Sequence, residues 1–138
     1  MKPFYTFFIV LLLVGCSSSD DEEFVNNPTG GINDGGTTTM QLMGDFVNGA
    51  HPTMGKASVN AEHTILSFRN FKTDNGPVLN VYLFEELNSL DYVDLGMLQG
   101  LEGDFDYVIP ANTDLSKYKK VSIWCVDFSV SFGHATLD

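Results

Sequence analysis

Val121-Ser122-Ile123-Trp124-Cys125-Val126-Asp127-Phe128-Ser129-Val130-Ser131-Phe132 is the stretch that decides the fold. Trp124, Val126, Phe128, Val130 and Phe132 recur at every second position, the spacing that places side chains on one face of a β-strand. A helix would mix three- and four-residue spacings between apolar residues, whereas these five keep strictly to every second position. The alternation predicts that the five residues form a core stripe with Trp124 as a core residue. In that parity Cys125 falls on the opposite face with Ile123 and Asp127, outside the main core.

Working outward, the same period recurs. Ala57, Val59 and Ala61 alternate with polar neighbours, as do Leu66 and Phe68, Leu79, Val81 and Leu83, and Phe105, Tyr107 and Ile109. Turn-forming strings separate the runs: Ala50-His51-Pro52, Asp74-Asn75-Gly76-Pro77, Gly100 to Gly103, and Pro110-Ala111-Asn112. Asp114-Leu115-Ser116-Lys117-Tyr118 is suited to one helical turn with Asp114 as its N-cap. No window sustains a helical stripe, and no internal repeat is present. Seven to nine short strands at this spacing predict an all-β, antiparallel β-sandwich.

The chain has 138 residues, enough for one domain of ordinary size. Its 18 acidic and 7 basic side chains give a net charge of −11. Residues 40–138 hold thirteen acids and six bases, a balance of −7. That balance argues against a nucleic-acid partner, which requires basic patches, and against a polybasic membrane contact.

The amino terminus reads as an export signal. Lys2 precedes an apolar run at residues 4–14, shorter than the about twenty residues that span a bilayer. The run ends in Leu13-Val14-Gly15-Cys16, which resembles a bacterial lipobox. Residues 1–15 are thus expected to be a lipoprotein signal peptide. Cleavage would leave Cys16 as the amino terminus, carrying acyl chains such as palmitate and anchoring the protein to the outer membrane. Ser17-Ser18-Ser19-Asp20-Asp21-Glu22-Glu23 and the Asn, Gly, Pro and Thr-rich sequence after it read as a flexible acidic tether over residues 16–39. Acids directly after the lipidated cysteine favour the cell surface over the periplasmic face. The folded domain is expected at 40–138, as a monomer.

Chemistry is sparse. There is no P-loop, G-x-S-x-G, C-x-x-C or dinucleotide fingerprint, so nothing points to a hydrolase or transferase. With Cys16 lipidated, Cys125 is the single thiol of an exported chain and has no intramolecular disulfide partner. Two readings are open for it. One is a small buried hydrophobe. The other is a redox or metal-ligating thiol, with Asp127 two residues along raising its pKa. His51, His63 and His134 lack metal-ligand spacing. Met40, Met43, Met54 and Met97 are candidate thioethers for a haem or copper site, with packing as the simpler role. Glu102-Gly103-Asp104-Phe105-Asp106 sets carboxylates at alternate positions without the calcium-loop pattern. Lys117, Lys119 and Lys120 are the one basic cluster, read as a solvated loop.

The run Ile123-Trp124-Cys125, with Phe128, Val130, Phe132 and Gly133 after it, resembles the hallmark of the DM-thirteen domain, the module found beside DOMON domains in Skeletor-type proteins. The resemblance continues backwards through Gly44-Asp45-Phe46, His51 with Gly55, Asn70-Phe71, Asn75-Gly76-Pro77, Val81-Tyr82-Leu83, Leu95-Gly96 and Tyr107-Val108-Ile109-Pro110. Two positions depart from it: Val78 stands where the family often has an acid, and Asn80 lies where it has a polar aromatic residue. The resemblance implies a β-sandwich with electron-transfer chemistry centred on Cys125, as a naked thiol or as the holder of a prosthetic group such as haem. The competing reading is a non-catalytic extracellular binding or adhesion module.

Overall fold

The computed structural model describes residues 41–138. The expected signal peptide, the lipidated Cys16, the tether and Met40 lie outside the described residues. The described chain is all β, with nine strands: β1 Met43–Asp45, β2 Val47–Asn48, β3 Thr53–Val59, β4 Ile65–Thr73, β5 Leu79–Phe84, β6 Tyr92–Met97, β7 Glu102–Val108, β8 Lys120–Cys125 and β9 Val130–Thr136. They form two antiparallel sheets, β1-β3-β4-β7 and β2-β9-β8-β5-β6, the β-sandwich that the alternation predicts.

The chain switches sheets between β1 and β2 at Phe46. Its ring enters the core edge-on to Phe68 and Phe71, at centroid distances of 4.9 and 5.2 Å. Inward residues of β3 and β4 (Ala57, Val59, Leu66, Phe68, Phe71) face those of β5 and β8 (Leu79, Val81, Leu83, Val121, Ile123) across one continuous core. Ala61 belongs to the exposed turn after β3 and does not continue its stripe.

Irregularities tune which residues face inward. Phe68 and Phe71 are three apart, yet both are fully buried, because the β4–β7 register shifts between them. Asn70 sits at φ +50°, and its N–H donates to Asp104 Oδ1 at 2.8 Å. Opposite, Gly55 lies at φ +116°, and a Cβ there would stand 2.7 Å from the Phe71 Cα. A side chain would drive the two strands apart.

The stretch at 121–132 is not one strand. β8 ends at Cys125, residues 126–129 form a turn with Ser129 at φ +51°, and β9 returns antiparallel. The expected core stripe is therefore corrected. Val126 and Phe128 are exposed in the turn, and Trp124 lies half-buried on the outer face of its sheet. Cys125 instead faces inward with Val121 and Ile123, fully buried. The physical reason is that the four-residue turn pairs Cys125 with Val130, so inward parity flips from odd positions in β8 to even ones in β9 while the apolar alternation of the sequence runs on unbroken through the turn. A second register shift, between Ile123 and Trp124, lets Phe132 and Ala135 both face the core.

The expected turn at Asp114 is present. Its Oδ1 accepts the Ser116 N–H at 2.9 Å, and its carbonyl accepts the N–H groups of Lys117 and Tyr118.

Candidate functional site

Cys125 closes β8, paired with Leu79 of β5 on one side and Val130 of β9 on the other. Its thiol is free and inaccessible to solvent. Asp127 lies in the exposed turn and not in a strand beside the sulfur, so the parity that would have paired them ends at Cys125. One residue beyond the sulfur, however, the chain is exposed, and the Val126 N–H is held only by the Val78 carbonyl at 2.9 Å.

The other sequence candidates do not gather around it. Among the described residues, no group of three or more His, Cys, Asp or Glu side chains is placed to hold a metal ion. His51 stacks on Phe132 at 3.9 Å, with Nδ1 3.2 Å from Asp74. His63 occupies the exposed turn between β3 and β4 at φ +57°. His134 lies on β9 opposite Ser122; its Nδ1 is buried without a hydrogen-bond partner. Burial, then the positive Lys120, holds the His134 imidazole below its ordinary pKa. Met43, Met54 and Met97 are exposed, far from the behaviour of buried axial ligands. The carboxylates at 102–106 are engaged separately, Glu102 with Lys72, Asp104 with the Asn70 N–H, and Asp106 with Arg69. In the basic cluster, Lys117 pairs with Asp91 and Lys120 with Glu86.

A haem ligated by Cys125 needs an open cavity at the sulfur, of the roughly 300–1,000 Å³ usual for cofactor sites. The sulfur is sealed between the sheets. The nearest strand partner, Leu79, borders a cleft of about 230 Å³ between Pro77 and Leu101, but Cys125 does not line it. The residues around Cys125 do not fit that group.

On the opposite face of the same strands lies a feature that alternation did not predict. β5 is apolar on both sides: Val81 and Leu83 point into the core, while Tyr82 and Phe84 point outward and are nonetheless buried. Register sets Tyr92 of β6 beside Phe84, and Trp124 of β8 beside Asn80. The Tyr92, Tyr82 and Trp124 rings stack in near-parallel order across three strands, at 4.4 and 6.2 Å between centroids. Phe84 tilts against Tyr92 at 5.5 Å and against Trp124 at 5.4 Å. These rings floor a groove of about 340 Å³, walled by Leu90 and Val126, with Asn88, Ser89 and Ser129 at its rim. Leu90 is 97 % exposed at its mouth. Burial, then the nearby Asp94 carboxylate, holds the Tyr82 phenol above its ordinary pKa.

Val78 and Asn80, the two positions that depart from the resemblance, lie just before Tyr82 along the chain. Asn80 donates from Nδ2 to Asp94 at 3.2 Å, and Val78 supplies the carbonyl that ties down the start of the β8–β9 turn.

The sequence matches the family described as Electron transfer DM13 over residues 45–137. The chain belongs to the DM13 family. The match begins at Asp45 and ends at Leu137, so it takes in both sheets, Cys125 and the aromatic groove. The DM13 description names electron transfer, which supports a redox role for the domain. No curated protein and no solved structure matches the chain.

Proposed function

We propose that the chain is an exported lipoprotein, held at the outer membrane by acyl chains on Cys16, whose single DM13 domain transfers electrons through Cys125 as a naked thiol. The observation that carries the redox reading is the match to an electron-transfer family over residues 45–137. Within the described residues Cys125 is the only cysteine. With no second thiol in the domain, its sulfur can give two electrons to an acceptor while water supplies the oxygen of a sulfenic acid, or attack a partner's disulfide to form a mixed disulfide and release the partner's other thiol. Either requires access, and the exposed four-residue turn immediately after Cys125 is the route by which local opening would supply it. Sealing between openings protects a lone exported thiol from adventitious oxidation.

The lipobox at residues 13–16 supports the anchor, and the acidic run at 20–23 supports display at the cell surface over the periplasmic face. Partners at that surface are proteins or small carriers, since the acidic domain repels nucleic acid.

The test is absorbance followed by thiol titration of purified chain carrying Cys16→Ser, then reduction of a dye acceptor by that chain and by its Cys125→Ala variant. A colourless protein with one titratable thiol, and dye reduction lost in the variant, is expected. A haem absorbance band that disappears with Cys125→Ala would overturn the naked-thiol reading. Dye reduction that is unaffected by the variant would remove Cys125 from the chemistry. A second reading, a non-catalytic binding module, is favoured by one observation, the open aromatic groove on the outer face.

A further inference from the structure

We propose that the groove floored by Tyr82, Phe84, Tyr92 and Trp124 binds an uncharged planar ring of the quinone class. The choice of an electron-carrying ring rests on the electron-transfer reading, whereas the choice of an uncharged planar one rests on the groove itself.

Two buried aromatic rings on the solvent side of a sheet are unusual unless something covers them. Here the cover is incomplete: the loop between β5 and β6 closes one side, Tyr92 stays 43 % exposed and Leu90 is 97 % exposed. A volume of about 340 Å³ accommodates a ring system of two fused six-membered rings. The Tyr82 ring is sandwiched between Tyr92 and Trp124, so it presents its edge to the groove. Ring edges carry the positive part of the aromatic quadrupole and suit the negative carbonyl oxygens of an incoming quinone ring.

Charge narrows the class further. No charged side chain lines the groove. The neighbouring cations Lys117 and Lys120 are held by Asp91 and Glu86, and Glu85 and Asp127 are exposed on the adjoining loops. A flavin or nucleotide bearing phosphate would meet carboxylates and no free cation. An uncharged ring meets neither penalty. The rim side chains Asn88, Ser89 and Ser129 supply donors suited to a ring carbonyl.

Trp124 is the only tryptophan of the chain, so its fluorescence reports this groove alone. Menadione titrated into the purified full-length chain is expected to quench it saturably. Leu90→Glu, at a position too exposed to endanger folding, and Tyr92→Ala should each raise the half-saturation concentration by about tenfold or more. 1,4-Naphthoquinone-2-sulfonate, a planar anionic analogue, should bind more weakly by a similar factor. Quenching that rises linearly and is the same in both variants would overturn the site. Equal binding of the sulfonate would overturn the uncharged class, and saturation by maltohexaose but not by menadione would make the groove a sugar site. Saturable menadione binding without dye reduction by the protein would remove the electron-transfer reading and leave the groove standing. Dye reduction without menadione binding would do the reverse.

Discussion

Trp124 and Cys125 are consecutive in β8 yet serve opposite faces of one sheet. The indole packs outside against Phe84 at 5.4 Å, while the thiol is sealed inside with Ile123 and Val121. This residue pair therefore joins the sandwich core to the aromatic groove through a single peptide bond.

Trp124→Ala should lower stability by less than half of what Phe68→Ala does. Phe68 is fully buried among Phe46, Phe71 and Tyr107, and its loss leaves a cavity, costing about 3–5 kcal/mol. Trp124 is half-buried on the outer face, where water can enter the space it leaves. Urea unfolding of the two variants measures the difference. Equal losses would mean that the indole is a core group.

Cys125→Ser should destabilise the fold, since a hydroxyl replaces a thiol where no solvent reaches. Burial of an unpaired hydroxyl costs about 1–3 kcal/mol. Cys125→Ala, which adds no polar group, should be the milder change. Denaturant midpoints that rank the two variants in the opposite order would show that the serine finds a partner.

Acidification should remove stability in two separate steps. The His134 imidazole has its folded pKa lowered below the ordinary 6.5 by burial and then by Lys120. The folded chain thus binds that proton more weakly than the unfolded one, and stability falls as pH drops from 6.5 towards the lower folded value. Asp91, Asp106 and Asp114 behave as carboxylates whose folded pKa is depressed, by hydrogen bonds from Lys117, Ser67 and Ser116 respectively. Their contribution is present above the ordinary 3.8 and disappears as pH falls through the lowered folded values. His134→Asn should abolish the first step and spare the second in unfolding curves taken across pH. A first step that survives the substitution would assign it elsewhere.

Much of the fold was legible because its signals are local. Val81 and Leu83, or Leu66 and Phe68, announce strands by alternation, and Asn75-Gly76-Pro77 announces a turn. The β8–β9 hairpin was not legible, because Ser129 takes a positive φ without the glycine or asparagine that usually marks it. That single turn reversed the facing of Trp124 and Cys125. The groove was hidden for a different reason. Tyr82 and Phe84 interleave with Val81 and Leu83, and a strand apolar on both faces reads as fully buried, with no hint that one face is only partly covered. The bulge at Asn70, which turns both Phe68 and Phe71 inward, is tied by a hydrogen bond that the Asn70 N–H donates to Asp104, 34 positions away, and leaves no local trace.

The alkylation rate of Cys125, measured in chain carrying Cys16→Ser over a range of urea concentrations, tests most directly whether the family's cysteine is a sealed thiol reached by local opening. A native rate slower than that of the unfolded chain by about a thousandfold or more, and nearly independent of urea until the unfolding transition, is expected for opening confined to the end of the β8–β9 hairpin. A native rate within about tenfold of the unfolded one would contradict it, placing the sulfur on the open face.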